Sequence, residues 1–99
     1  MDFNYLCETY LEELADKIDQ ADNNFNLEIE YLDGILSIKI LSNNKIFVIN
    51  RNSGNKKIWY SSPFSGADYF SYDQDTKQWL SDSKLELTKK IFEELKEFF

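Results

Sequence analysis

Two stretches of apolar residues with helical spacing, one at each end of the chain, flank a middle region in which apolar and polar residues alternate. Near the N-terminus the apolar side chains recur every three or four positions, which predicts an amphipathic helix from about residue 3 to residue 21. Its predicted buried stripe consists of Phe3, Leu6, Cys7, Tyr10, Leu11, Leu14 and Ile18. A helix with one apolar stripe must cover a second apolar surface, and the middle region has to provide it.

The middle region has the period-two pattern of strands and is divided by turn residues. Asp33-Gly34 predicts a tight two-residue hairpin, and Ser42-Asn43-Asn44 predicts a second turn. The predicted strands are residues 27–31, 35–41, 45–51, 57–61, 68–73 and 78–80. Because the connections are short, neighbouring strands are expected to pair in an antiparallel sense.

The C-terminal stretch predicts a second amphipathic helix, with a capping-box pattern at Ser83 and Glu86. Its predicted buried stripe consists of Leu85, Thr88, Ile91, Phe92, Leu95, Phe98 and Phe99. Two one-sided helices need the same apolar surface, so we expect both to pack on one face of the sheet. The fold class is therefore α+β: a two-layer α-β sandwich, formed by residues 1–99 as a single domain, with the opposite sheet face open.

Charge and composition narrow the classes of function. The net charge is −7, and the first 30 residues carry nine acids against one base, Lys17. Such a field attracts cations or a basic partner and opposes nucleic acid, whose phosphates need positive charge. The chain has no histidine and one cysteine, Cys7, which we expect to be an inert buried thiol. No apolar run reaches the length of a membrane span, and no catalytic constellation is present, so no catalytic residue is assigned.

Seven acids form a predicted surface that we name the acidic ridge. Spacings of four, four and three residues place the first four on one stripe of the first helix, and the others follow at its end and on the next strand. The acidic ridge consists of Glu8, Glu12, Asp16, Asp19, Asp22, Glu28 and Glu30. Like charges four residues apart destabilise a helix slightly, while carboxylates bind hard cations without histidine or cysteine. Spacing alone leaves two interpretations open: a cation-binding surface, or a solvated face that maintains solubility.

Trp59 and its polar neighbours also allow two interpretations. Asn50, Asn52 and Trp59 lie on or beside the middle strands, and a Trp bordered by amides on an open sheet face is a typical interface anchor. Most of the chain's aromatic residues must be core, however, and spacing alone favours the core for Trp59 as well.

The run from Asn50 to Gly66 resembles the core motif of the frataxin family. That motif combines Asn-(Lys/Arg)-Gln with Ile-Trp-Leu-Ser-Ser-Pro-x-Ser-Gly-Pro, and this chain has Asn50-Arg51-Asn52 followed by Ile58-Trp59-Tyr60-Ser61-Ser62-Pro63-Phe64-Ser65-Gly66. The resemblance continues through Tyr69–Asp73, Gln78-Trp79 and the C-terminal helix. Where relatives carry Gln after Asn-(Lys/Arg), this chain has Asn52, and where many carry Gln two residues before the Trp, it has Lys57.

The resemblance implies a function in iron–sulfur cluster assembly. It implies that Fe²⁺ and Fe³⁺ bind on the acidic ridge. Carboxylate chemistry adds that an open ridge binds these ions and other hard divalent cations weakly. It also implies docking on the cysteine desulfurase and the scaffold protein, with Asn50, Asn52, Lys57 and Trp59 as partner-binding residues. The alternatives are an acidic adaptor of the desulfurase with incidental metal binding and, third, a weak ferroxidase. We expect a monomer that iron can drive into oligomers, in a bacterial cytoplasm or, as the alternative, in the mitochondrial matrix after processing.

Overall fold

A layer of two helices covers one face of a six-stranded sheet in the computed structural model, which describes residues 2–99. Met1, the first residue of the predicted domain, lies outside the described residues. The elements are α1 (Phe3–Ala21), β1 (Leu27–Leu32), β2 (Ile35–Ile40), β3 (Ile46–Asn52), β4 (Lys57–Ser62), β5 (Gly66–Asp73), β6 (Gln78–Leu80), α2 (Leu87–Leu95) and a 3₁₀ turn (Lys96–Phe98). The predicted fold class, an α+β two-layer sandwich, is confirmed.

The sheet is an antiparallel meander in which the strands follow one another in the order β1 to β6. The predicted strand bounds agree with the structure to within one or two residues, the largest difference being the earlier start of β5 at Gly66. The β1–β2 hairpin turns at Asp33 and Gly34, which both have positive φ, 53° and 77°. These are the backbone angles that a two-residue hairpin of this handedness requires, and Asp-Gly adopts them readily.

Aspartates occupy the cap positions at both ends of helix α1, Asp2 and Asp22. The Asp2 side chain accepts a hydrogen bond from the Asn4 amide at 3.1 Å, which caps the N-terminus. Four side chains of the predicted stripe are fully buried: Cys7, Leu11, Leu14 and Ile18. Each buried apolar side chain of this size contributes about 1.5–3 kcal/mol, so this stripe holds α1 on the sheet.

Trp79 is a central core residue despite its position on the short edge strand β6. Its side chain is 2% exposed. The rings of Phe3, Tyr10 and Tyr72 surround it, with centroid distances of 6.0, 5.9 and 5.3 Å. These contacts join α1 and β5 to the β6 edge through one aromatic cluster.

The predicted start of the second helix was wrong. Glu86, not Ser83, is the N-cap: its carboxylate accepts hydrogen bonds from the amides of Thr88 and Lys89. Ser83 instead contacts the Ser81 hydroxyl at 3.1 Å. Leu85 therefore precedes the helix rather than joining its buried stripe, and its side chain is 49% exposed.

The turn between β4 and β5 is organised by the Ser62 hydroxyl. Ser62 donates a hydrogen bond to the Glu94 carboxylate at 2.8 Å and accepts from the amides of Phe64 and Ser65 at 3.0 and 3.1 Å. The Tyr60 hydroxyl donates to the other oxygen of Glu94. This network ties the Ser-Ser-Pro-Phe-Ser-Gly segment to α2, because one buried hydroxyl satisfies two backbone amides and one carboxylate.

Candidate metal-binding and partner-binding surfaces

The helical part of the acidic ridge is an open row rather than a closed cage. Glu8, Glu12, Asp16 and Asp19 are all exposed on α1. Among residues 2–99, no group of three or more His, Cys, Asp or Glu side chains is placed to hold one metal ion together. An ion on this row would therefore keep most of its water ligands, since one or two carboxylates supply only part of its coordination shell.

Glu8 differs from the other three because a base contacts its carboxylate. The Arg51 guanidinium, from β3, forms an ion pair and hydrogen bond with Glu8 across the α1–β3 contact. Arg51 also lies against Gly34, where an added Cβ would approach the guanidinium carbon to 3.1 Å. The positive charge of the Arg51 side chain therefore lies at the N-terminal end of the acidic row.

Helical spacing and turn signals do not mark Arg51 as a site residue, because it falls only within a predicted strand and the family motif. Alternation along β3 does contain the signal: Asn50 and Asn52 are on one face, so Arg51 is on the face toward the helices. A base that points to the helix layer beside an acidic helix needs a partner carboxylate.

Asp22 does not extend the exposed row, contrary to the sequence-based expectation. Its side chain is 5% exposed. One carboxylate oxygen accepts a hydrogen bond from the Asn26 amide and the other from the Leu27 amide, both at 2.9 Å. Both oxygens are thus engaged in joining the end of α1 to the start of β1, which leaves Asp22 a structural role.

The two acids of β1 lie on the other sheet face. Glu28 and Glu30 are exposed and alternate with Ile29 and Tyr31, which pack against the core beneath α1. β1 does lie beside α1, as a continuous ridge would need. However, the carboxylates of the strand and those of the helix flank edge strand β1 from opposite faces, because successive strand side chains alternate.

The Tyr31 hydroxyl lies near the acids of α1. Burial raises the pKa of the Tyr31 hydroxyl, and the negative charges of Glu8 and Glu12 raise that pKa further, while Arg51 opposes them. The phenol therefore stays neutral beside the acids and can offer them a hydrogen-bond donor.

The open sheet face carries all four predicted partner-binding residues. Asn50 lies directly opposite Trp59, and Asn52 directly opposite Lys57, in the β3–β4 ladder. All four side chains are partly exposed, so Trp59 is not a fully buried core residue. The Trp59 ring packs edge-on against Tyr69 of β5, with a centroid distance of 4.8 Å.

A single lateral row crosses five strands on this face. Leu32 pairs with Ile35, Ile35 with Asn50, Asn50 with Trp59, and Trp59 with Tyr69. Leu32 and Ile35 are 61% and 44% exposed, which their apolar side chains did not predict. Within the row, the Asn50 Oδ1 atom is buried yet accepts no hydrogen bond from the described chain. A buried acceptor without a donor is costly, and a donor from outside reaches Oδ1 only if the Asn50 amide rotates toward the surface.

Cys7 lies fully buried on the inner side of α1. Burial raises the pKa of its thiol to about 12, and the charge of Arg51 only partly offsets that effect. The thiol therefore remains protonated at neutral pH and lacks the thiolate character that metal ligation or nucleophilic chemistry needs.

No helix in residues 2–99 is long and apolar enough to cross a membrane.

The fold and these surfaces define a class: a small α-β sandwich with a helix-borne row of carboxylates and an open, aromatic sheet face. A family model for the frataxin-like domain matches residues 1–99. The chain belongs to the frataxin-like family.

Relatives and solved structures agree with this membership. Mitochondrial frataxin of Dictyostelium discoideum is 34% identical over 83 residues, covering 81% of this chain and 42% of that protein. The iron-sulfur cluster assembly protein CyaY of Thioalkalivibrio sulfidiphilus is 31% identical over 80 residues, covering 81% of this chain and 73% of that protein. The chain thus spans less than half the length of the Dictyostelium protein. Trimeric frataxin of Saccharomyces cerevisiae, crystallised with ferrous iron, superposes with a TM-score of 0.80 at 26% identity, covering 93% of this chain and 83% of that one.

Proposed function

We propose that this protein binds iron weakly and acts in iron–sulfur cluster assembly, where it regulates or supplies iron to the cysteine desulfurase–scaffold complex. Family membership supports the general function, since one relative is named for cluster assembly and a structural neighbour was crystallised with ferrous iron. The single observation that carries the iron-binding proposal is the row of Glu12, Asp16 and Asp19. Their exposed carboxylates form no ion pair within residues 2–99.

The chemistry of this row fits hard cations. Carboxylate oxygens are ligands for Fe²⁺, Fe³⁺ and other hard ions, and an open row gives weak, exchangeable binding with little selectivity. The core of the proposed site is Glu12, Asp16 and Asp19. Glu8 contributes its carboxylate only when its ion pair with Arg51 opens. Glu28 and Glu30 bind cations from the opposite sheet face, across edge strand β1. Asp22 is not part of this proposed site.

The proposed docking surface for the desulfurase–scaffold complex is the open sheet face. Trp59 provides an aromatic anchor, and Asn50 offers an acceptor that its own chain leaves without a donor. Asn52 and Lys57 lie at the end of the same ladder. A central aromatic residue bordered by polar groups is the usual composition of an interface hot spot.

The second candidate function is an acidic adaptor of the desulfurase, for which metal binding is incidental. The lack of a preformed three-ligand group within residues 2–99 favours it, because an open row recognises a basic surface as well as it recognises a cation. In this candidate the same acids contact the partner directly. The two candidates therefore differ in whether iron changes partner affinity.

An amide NMR titration with Fe²⁺ under anaerobic conditions, followed by the desulfurase, tests the proposal. Binding on the row predicts perturbed amides around Glu12, Asp16 and Asp19, and loss of the effect in the triple variant E12Q/D16N/D19N. The matched control D33N/D82N/E97Q removes three exposed acids elsewhere and should keep iron binding. If iron does not perturb the row but the desulfurase does, the adaptor candidate is the correct one. If neither ligand perturbs the row, both candidates fail.

We also propose that residues 1–99 act as one domain in a bacterial cytoplasm, with the mitochondrial matrix as the alternative. The relatives support these two locations, since one relative is bacterial and the other mitochondrial. A monomer that iron drives into oligomers is proposed on the same basis, because the yeast neighbour crystallised as a trimer with ferrous iron.

A further inference from the structure

A groove of about 600 Å³ runs between α2 and the end of the sheet. Its volume is within the range of ligand-binding clefts. Leu80 and Leu85 are its apolar lining residues, and Lys84, Lys89 and Lys90 line it as well. The groove shares no residue with the acidic ridge or with the four residues proposed for desulfurase docking.

The exposed side chain of Leu85 is attached to a rigid backbone. The Leu85 amide donates a hydrogen bond to the Ser81 hydroxyl at 3.1 Å, and its carbonyl accepts from the Ser81 amide at 2.9 Å. The adjacent Glu86 bridges to Leu80 of β6. Because this backbone is already ordered, only the Leu85 side chain loses conformational freedom on binding, which suits an interface anchor.

The three lysines have donors available for a ligand. None of the ammonium groups of Lys84, Lys89 and Lys90 lies within 4.0 Å of a carboxylate in the described part of the chain. The Lys90 ammonium lies 5.7 Å from the centroid of the Tyr60 ring, which orients it without using its hydrogen-bond donors.

The three acids that line the same groove are already engaged. Glu86 caps α2, and Glu93 pairs with Lys96 at 2.7 Å. Glu94 accepts hydrogen bonds from Tyr60 and Ser62. An incoming ligand therefore meets free ammonium donors rather than free carboxylate acceptors, although the acids and lysines of the groove balance in formal charge.

We propose that this groove binds a short acidic peptide segment with at least one apolar side chain. The apolar side chain would pack on Leu80 and Leu85, and its carboxylates would pair with Lys84, Lys89 and Lys90. Helix α2 has nine residues and is about 14 Å long, a length that four or five extended peptide residues match. A peptide suits this site better than an enclosed small molecule because the groove is open to solvent.

The test is an amide NMR titration of the full chain with a capped pentapeptide that alternates aspartate and leucine. We expect saturable shifts at Leu80, Leu85 and Lys89, with a dissociation constant of about 1 mM or tighter. One control peptide has lysine for aspartate, and a second has serine for leucine; both should bind at least about tenfold more weakly, a difference of about 1.4 kcal/mol.

Variants of the protein separate this groove from non-specific attraction. K84Q/K89Q/K90Q should weaken binding about tenfold, and Leu85→Ser about fivefold, with folding checked by the amide spectrum. The control K39Q/K45Q/K56Q removes the same charge elsewhere and should change affinity less than about twofold. The proposal is overturned by equal binding of the lysine peptide or by equal loss in both triple variants. Shifts that depend on protein concentration without any peptide also overturn it, since they would make a second copy the occupant.

Discussion

The Arg51 guanidinium binds the Glu8 carboxylate across the contact between β3 and α1. The ion pair places one positive charge at the end of the acidic row and removes one carboxylate from it. Arg51 also lies against Gly34 of the β1–β2 hairpin. The row therefore has two parts: a neutralised end at Glu8 and a free part at Glu12, Asp16 and Asp19.

Arg51→Gln should strengthen binding of Fe²⁺ or Mn²⁺ to the row by about threefold to tenfold. The substitution frees Glu8 and removes a nearby positive charge, and one surface charge changes the interaction by about 1 kcal/mol. Calorimetric titration measures the affinity. Lys45→Gln removes one exposed charge elsewhere and should have little effect. An equal gain in both variants would show that only net charge matters.

Asp22→Asn should lower the free energy of unfolding by about 1–3 kcal/mol, because one buried backbone amide loses its acceptor and the other meets a weaker one. The affinity for metal ions should remain unchanged. Asp19→Asn should do the reverse, with a stability change within about 0.5 kcal/mol and weaker metal binding. Urea unfolding and metal titration of both variants provide the comparison. Reduced metal affinity in Asp22→Asn at full stability would show that Asp22 is part of the metal-binding site.

Periodicity predicted the helices and strands because burial of one face repeats at a fixed interval along each element. α1, the Asp33-Gly34 hairpin and the short linkers were therefore predictable from the sequence alone. The roles of Asp22 and Leu85 were not predictable from the sequence. They depend on which backbone groups come within hydrogen-bond distance of a side chain after the chain has turned. The pairing of Glu8 with Arg51 joins residues 43 positions apart, and no local pattern contains that distance.

Ser62→Ala should destabilise the fold by about 1–3 kcal/mol. Two backbone amides and the Glu94 carboxylate lose a hydrogen-bond partner in a partly buried turn. Ser61→Ala is the matched control, because the adjacent hydroxyl points to the open face and makes no hydrogen bond to a described side chain. Thermal unfolding should separate the two variants by several degrees. Equal melting temperatures would show that the turn does not depend on the Ser62 hydroxyl.

The two tryptophans should respond to truncation in opposite ways. Trp79→Ala removes the centre of the aromatic core and should cost about 3–5 kcal/mol of stability. Trp59→Ala leaves a partly exposed site and should cost less, but it should weaken desulfurase binding by at least about tenfold if the open face is the docking surface. Urea unfolding and a binding assay with the desulfurase measure both quantities. Unchanged desulfurase affinity in Trp59→Ala would place the partner elsewhere.

Alkaline pH should unfold the protein through buried groups that stay protonated in the native state. Burial raises the pKa of Cys7 from 9.0 to about 12 and raises the pKa of Tyr10 and Tyr60 well above 10.0. The native state therefore holds protons that the unfolded chain releases, so stability is complete below about pH 9 and falls as the pH rises further.

Urea unfolding between pH 7 and pH 11 measures this loss, and Cys7→Ala isolates the contribution of the thiol. The variant will be less stable at every pH because it leaves a small cavity, but its stability should fall less steeply between pH 9 and pH 11. A thiol reagent at pH 8 should modify Cys7 rapidly in urea and very slowly in the native protein. Parallel pH profiles for the two proteins, or fast native modification, would mean that α1 opens far more readily than its buried stripe indicates.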